Sequence, residues 1–174
     1  SGKNSIEWMY SRLKKSNYIS KIIFAIPDSE DNRNLKEFLN LNNYEYFEGS
    51  EDNVLSRYID CASCKQAQVI MRMTADCPFI DVGIVDDLIE QFFYNNSNYL
   101  SNNNPPCLPD GCDAEIFYKS ELDRIIENPL PEDIEHVTYS IKKKYFSDTK
   151  YNNPLEKDYS NLRLTLDTYD DYEF

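Results

Sequence analysis

A short apolar run ending in a lone carboxylate constrains this chain more than any other stretch: Gln68-Val69-Ile70-Met71-Arg72-Met73-Thr74-Ala75-Asp76-Cys77-Pro78-Phe79-Ile80-Asp81. Val69, Ile70 and Met71 form a run too brief for an amphipathic helix and suited to a buried strand. A polar turn carrying Asp76 follows. Asp81 then stands where a helix N-cap belongs, ahead of Ile84, Val85, Leu88, Ile89 and Phe92. Open α/β sheets bind ligands just beyond the carboxyl ends of their strands, and Asp76 occupies that place.

The flanking sequence repeats the alternation. Asn4 with Glu7 reads as a capping box for a helix whose stripe is Ile6, Met9 and Leu13. Residues 21–26 read as an apolar strand stopped by Pro27-Asp28, and a helix around Leu35, Phe38 and Leu39 follows. Residues 44–47 read as a further strand, and Val54, Leu55, Tyr58, Ile59 and Ala62 give the next helical face. This rhythm predicts parallel strands joined by crossover helices, with strands buried on both faces. Beyond residue 95, Asn-rich loops bracket a short strand at Tyr99-Leu100. Pro109-Asp110-Gly111 reads as a turn, and residues 113–118 alternate like a half-exposed strand. Ser120 is the expected cap of a helix bearing Leu122, Ile125 and Ile126. After Pro129 and Pro131 comes a helical stretch through Ile134, Val137 and Ile141. Residues 147–160 read as loop and 162–166 as a strand delivering Asp167. Thr168, with Asp171 at the third position, reads as the cap of a last helix.

The 174 residues suit a single domain, 1–174, and 41% apolar content supplies a core. A formal net charge of −13 argues against a nucleic-acid polymer as partner. Lys142-Lys143-Lys144 reads as a solvated helix face. No apolar run approaches membrane-spanning length. The five cysteines are odd in number and suggest no disulfide framework, so a cytoplasmic location is expected. Cys61-x-x-Cys64 falls within a helical pattern and reads as packing, without a second pair to complete a zinc site.

Asp76 and Asp167 share a placement: each follows an apolar strand and precedes a helix. Two carboxylates at one sheet edge suit a Mg2+ ion that also carries nucleotide phosphates, because magnesium takes few protein ligands and keeps substrate oxygens and waters. Either residue alone also fits a turn former or cap. Asp81 and Thr168 take the capping roles more naturally.

Five segments in order carry a resemblance: Glu48-Gly49-Ser50-Glu51-Asp52-Asn53-Val54-Leu55-Ser56-Arg57-Tyr58; Met71-Arg72-Met73-Thr74-Ala75-Asp76-Cys77-Pro78; Pro109-Asp110-Gly111-Cys112-Asp113-Ala114-Glu115; Glu135-His136-Val137-Thr138; and Leu162-Arg163-Leu164-Thr165-Leu166-Asp167-Thr168. Together they resemble the cytidylyltransferase family of spore coat polysaccharide biosynthesis protein F. That family is similar to the synthetases that activate octulosonic and sialic acids with CTP. The resemblance implies an α/β, Rossmann-like nucleotide-diphospho-sugar transferase fold, a three-layer sandwich with a mixed, mostly parallel sheet. It implies an enzyme that makes a CMP-sugar and pyrophosphate from CTP and an acidic or modified sugar, for surface polysaccharide.

By that likeness Asp76 and Asp167 would hold Mg2+, with Arg72 close to the chemistry. Ser50, Asp52, Arg57, Thr74 and Ala75 would border the nucleotide. Asp110, Asp113, Glu115, His136 and Arg163 would lie toward the sugar. Plainer readings stand beside these. Gly111 can simply make a turn, Glu115 can be an exposed strand residue, Arg72 can pair a structural carboxylate, and His136 can be a helix residue bonded in place. Family members begin with a strand and a Gly-, Arg- and Lys-rich phosphate loop that has no match in this chain. The 174 residues are therefore expected to be part of a longer polypeptide, cut at both ends, with little activity alone. A glycosyltransferase of similar fold ranks second, since Thr74-Ala75-Asp76 lacks the acidic residue two positions earlier that such enzymes carry. A non-catalytic sugar- or nucleotide-binding domain ranks third. The sugar and the choice of CTP over other nucleotides stay open, as does a homodimer of the kind common among related synthetases.

Overall fold

Side-chain caps fix where several helices begin, before any tertiary contact enters. The computed structural model describes residues 2–146, 150–155 and 157–173. In α1 (Ser5–Leu13) the Asn4 side chain accepts the Glu7 N–H at 2.9 Å, and Glu7 accepts the Asn4 N–H at 3.0 Å. In α4 (Val82–Tyr94) Asp81 accepts the N–H groups of Gly83 and Ile84 at 2.8 and 3.1 Å. The chain gathers into two compact units. The first comprises Ser1–Ser20, Met71–Phe117 and Phe146–Phe174, and the second Lys21–Ile70 and Tyr118–Tyr145.

In the first unit, α4 buries Val85, Leu88, Ile89 and Phe92, the stripe expected from the spacing. The exit of α1 is tied to α4 by the Ser16 hydroxyl and the Asn17 N–H on Asp86, and by the Tyr18 hydroxyl on Glu90. Strand β4 (Tyr99–Ser101) runs antiparallel to β5 (Glu115–Tyr118), pairing Tyr99 with Phe117 and Ser101 with Glu115. With β3 (Val69–Arg72) they form a sheet of order β3-β5-β4. The expected half-exposed character of residues 113–118 is corrected here. Glu115, Ile116 and Phe117 are all buried, because β5 is the middle strand and its alternating polar position is taken up by an internal ion pair. The expected strand at 162–166 is an extended segment with one parallel bridge, Asp110 to Arg163.

In the second unit, β1 (Phe24–Pro27) runs parallel to β2 (Tyr46–Gly49). Both begin later than their apolar composition suggests. Phe24, Ala25, Ile26 and Pro27 pair with Tyr46, Phe47, Glu48 and Gly49, and a strand extends only where a neighbour pairs with it. Of residues 21–26 only Ile26 is buried, so burial on both faces does not hold for this stretch. A single turn at Glu30–Asn32 leads into α2 (Arg33–Leu41), and α3 (Val54–Cys64) follows β2. Next come α5 (Lys119–Ile125), α6 (Pro131–His136) and α7 (Tyr139–Lys144). Helix α5 starts ahead of Ser120, which lies inside it, so Ser120 is not its cap. Instead Lys119 pairs with Asp123 at 2.6 Å across one turn. Leu39, Leu55, Leu122 and Ile141 form the fully buried centre. Lys144 is more than a solvated charge: with Arg124 it neutralises Glu121, whose side chain is 3% exposed. Cys61 is buried and Cys64 exposed on α3, and both are free thiols.

The last helix, α8 (Tyr169–Glu173), begins as its sequence suggests: the Thr168 hydroxyl accepts the Asp171 N–H at 3.3 Å, and Asp171 accepts the Thr168 N–H at 2.7 Å. Residues 147–149 and 156 of the expected loop lie outside the described residues. Among the described residues, no helix is long and apolar enough to cross a membrane.

Candidate functional site

Three segments of the first unit converge on Asp76. The turn after β3 carries it. The Leu166 N–H bonds to the Asp76 carbonyl at 2.9 Å, which lays Asp167 beside that turn. The third segment is the turn at Pro109-Asp110-Gly111. The Asp110 N–H bonds to the Leu162 carbonyl at 3.0 Å, and the Leu164 N–H to the Asp110 carbonyl at 2.7 Å. Gly111 explains how two backbones come so near. Its φ is +97°, and a Cβ there would stand 2.7 Å from the carbonyl carbon of Leu164. It does more than turn the chain. No other residue type fits without moving the Asp167 segment.

The charged side chains on these segments are the carboxylates of Asp76, Asp110 and Asp167 and the guanidinium of Arg163. Its guanidinium lies 2.6 Å from Asp167 Oδ2 and 3.9 Å from Asp110 Oδ2, and it also pairs with Asp171. The nearby Thr165 hydroxyl and the Arg163 guanidinium hold the Asp167 carboxyl below its usual range. Asp171 is held lower still, by Arg163 and by the N–H groups of Asp167 and Thr168. The Cys77 thiol donates to Asp76 Oδ1 at 3.3 Å, and the Thr74 hydroxyl lies 3.4 Å from the Cys77 sulfur. Burial pushes the Cys77 thiol up to about 12, so it stays protonated and available as a donor. Thr74 and Ala75 themselves are exposed.

Behind this edge lies a layer of paired polar side chains. Arg72 approaches Glu115 at 3.8 Å, and Glu115 is only 6% exposed. Arg72 is thus placed as partner to a buried carboxylate, the plainer of its two readings. Asn103 donates to Asp113 at 2.8 Å and accepts from the Ser101 hydroxyl at 2.7 Å. Asn102 donates to the Cys112 carbonyl at 2.8 Å and accepts the Ala114 N–H at 2.9 Å, extending the β4–β5 ladder with a side chain. Asp113 is therefore a held residue, while Asp110 is exposed.

Ser50, Asp52, Arg57 and His136 belong to the second unit. Arg57 is 8% exposed; its Nη1 donates to the Ser50 carbonyl at 2.5 Å, and its stem lies against Gly49, where a Cβ would meet Cγ at 2.9 Å. Arg57 thereby supports the 49–53 loop from beneath. The Ser50 hydroxyl accepts the Asn53 N–H at 3.0 Å, and Asn53 caps α3 through the Ser56 N–H at 2.8 Å. Asp52 is exposed. His136 is exposed at the end of α6, where its carbonyl accepts the Thr138 N–H at 2.6 Å.

Cys77, Asn102, Asn103 and Asp171 take part in this arrangement without having been singled out from sequence. Asp171 had a signal, its capping position, which pointed to helix geometry alone. The Asn run had only its composition. Among the described residues no three His, Cys, Asp or Glu side chains converge as a metal cage. The donor set, two carboxylates on adjoining segments, fits an ion completed by substrate oxygens and does not fit one held by protein alone.

Comparison with known proteins places the fold first. A structure of CMP:2-keto-3-deoxy-manno-octonic acid synthetase complexed with CTP superposes with a TM-score of 0.60 at 10% identity, covering 82% of this chain and 76% of that one. That likeness shows a shared mixed α/β fold. A structure of a cytidylyltransferase from Leptospira borgpetersenii serovar Hardjo-bovis superposes with a TM-score of 0.90 at 30% identity, covering 99% of this chain and 74% of that one. The chain belongs to the cytidylyltransferase family, whose sequence profile matches residues 1–159. Spore coat polysaccharide biosynthesis protein SpsF of Bacillus subtilis is 28% identical over 176 residues, 97% of this chain and 72% of that protein. An uncharacterised protein of Methanocaldococcus jannaschii is 29% identical over 171 residues, 97% of this chain and 69% of its own length.

Proposed function

We propose that this chain carries the transfer site of a Mg2+-dependent cytidylyltransferase that makes a CMP-sugar and pyrophosphate from CTP and an acidic or modified sugar for surface polysaccharide. One observation carries the reading: the bond from the Leu166 N–H to the Asp76 carbonyl, which sets Asp167 beside Asp76. Asp76 and Asp167 would hold the ion, which when bound neutralises phosphate charge at the reacting centre. A sugar hydroxyl oxygen forms the new bond to the α-phosphorus, the bond to the pyrophosphate oxygen breaks, and the hydroxyl proton leaves to solvent.

The chain's own residues serve by positioning. Cys77, with Thr74 against its sulfur, steadies Asp76, while Arg163 steadies Asp167. Thr74 and Ala75 would border the nucleotide; the family likeness gives the same role to Ser50, Asp52 and Arg57, on the loop that Arg57 supports. Asp110 and Asp113 would face the sugar, and Glu115 with Arg72 would form the layer behind them. His136 would contact the sugar or its loop.

The test is pyrophosphate release by the full-length protein with Mg2+ and each nucleoside triphosphate, against octulosonic, nonulosonic and neutral modified sugars. Release with CTP and one sugar is expected. In Asp76→Asn and Asp167→Asn it should fall by at least about 100-fold, the scale of losing one electrostatic contact to the transition state. Full release in both variants would remove the two-carboxylate site.

A further inference from the structure

The chemistry proposed above needs Asp167 in one orientation, yet Asp167 is about half exposed and lies on a segment with a single bridge to its neighbour. What holds it comes from the helix that follows. Asp171 uses both carboxylate oxygens. Oδ2 accepts the N–H groups of Asp167 and Thr168 at 2.9 and 2.7 Å, and Oδ1 accepts from Arg163 Nη1. The other arm of the same guanidinium, Nη2, reaches Asp167 Oδ2 at 2.6 Å. Asp171 is the less exposed of the two, with its side chain 15% accessible against 47% for Asp167. The planar fork of Arg163 passes this order on: with one edge fixed by Asp171, the position of the other is fixed as well.

The geometry points to Asp171 as a positioning residue of the transfer site, acting through Arg163 to set the orientation of Asp167, so that the Asp167 carboxylate is ready for a metal–nucleotide complex only while α8 is formed. This rests on the reading of Asp167 as a metal-bearing carboxylate. A cap alone would need only the Asp171 Oδ2 bonds to the backbone. The Oδ1 bond to Arg163 is no part of the α8 cap, and the other arm of the guanidinium carries it to Asp167.

The test measures the affinity of the full-length protein for CTP in the presence of Mn2+ and again with EDTA. The tightening that Mn2+ gives is the quantity of interest. Asp167→Asn should abolish it, and if it does not, the metal reading of Asp167 fails before this inference is reached. Given that loss, Asp171→Asn should weaken the Mn2+-dependent tightening by about tenfold, the usual scale for a residue behind a metal ligand, and leave the EDTA affinity unchanged. Arg163→Lys, which keeps the charge and loses the fork, should do the same. Joining it to Asp171→Asn should add less than twofold, because the two act in series. Thr168→Ala removes the hydroxyl cap and leaves the carboxylate; it should stay within about twofold of the parent. Wild-type tightening in Asp171→Asn overturns the inference, as does an equal loss in Thr168→Ala, which would assign the effect to helix capping. Equal loss of EDTA affinity in Asp171→Asn overturns it too, since a positioning role acts only through the metal.

Discussion

In the second unit Asp133 is wholly buried, and its two oxygens accept the Leu130 N–H at 3.0 Å, the Ser140 N–H at 2.7 Å and the Ser140 hydroxyl at 2.6 Å. In the first unit Asp167 is about half exposed and its carboxylate is held by a side chain, Arg163. Asp133 is committed: its backbone donors are fixed by the fold, join α6 to α7, and leave nothing for a ligand. Asp167 keeps its coordinating capacity, because Arg163 meets it at Oδ2 and its side chain stays about half open to solvent. A carboxylate's burial and the kind of donor it meets therefore separate a structural role from a chemical one, where sequence shows only two aspartates.

Three changes would break or sharpen this contrast. The largest effect is expected from Asp133→Ala, which strands two backbone donors and a hydroxyl in the interior. It should lower the unfolding free energy by about 3 kcal/mol in urea denaturation, while the folded fraction still binds CTP as the parent does. A loss below about 1 kcal/mol would erase the structural side of the comparison. Gly111→Ala comes next. A methyl group at φ +97°, meeting backbone at 2.7 Å, should cost roughly 2 kcal/mol and also remove the Mn2+-dependent tightening of CTP, since the Asp167 segment must shift. Destabilisation with metal-dependent binding intact would separate the Asp110 turn from the site. The smallest effect is a pH dependence. Asp171 is held far below its ordinary value of 3.8, so its contribution to the anchoring of α8 is complete above that value and drains away as the pH falls toward the depressed one. Amide NMR shifts of Asp167 and Thr168, followed downward from about pH 6, should titrate with a midpoint well under 3.8. A midpoint at or above 3.8 would mean that the carboxylate is unheld.

Features set by neighbours in sequence were legible in advance. Asn4 with Glu7, Asp81, and Thr168 with Asp171 all cap as their spacing suggests, because the donor lies within one turn of the acceptor. Features set by distant partners were not. Glu115 alternates like a surface position and is buried, because Arg72 comes to meet it from another part of the chain. The starts of β1 and β2 depend on each other rather than on where apolar composition begins. For the site, the family resemblance located the three segments. It did not reveal that Gly111 presses on Leu164, that Arg57 lies beneath the Ser50 loop, or that Arg163 serves three carboxylates. Each of those depends on packing between segments far apart in sequence.

The distribution of thiols bears on how the molecule can be handled. All five cysteines are unbridged, and burial raises Cys61, Cys107, Cys112 (to about 11) and Cys77 (to about 12). Only the thiolate attacks an alkylating reagent, so these four are slow to react at mildly alkaline pH, while Cys64 stands exposed near the end of α3. A maleimide dye or nitroxide is therefore expected to enter first at Cys64, without mutagenesis. It leaves the turn around Asp76 unmodified and gives the second unit a ready-made spectroscopic reporter.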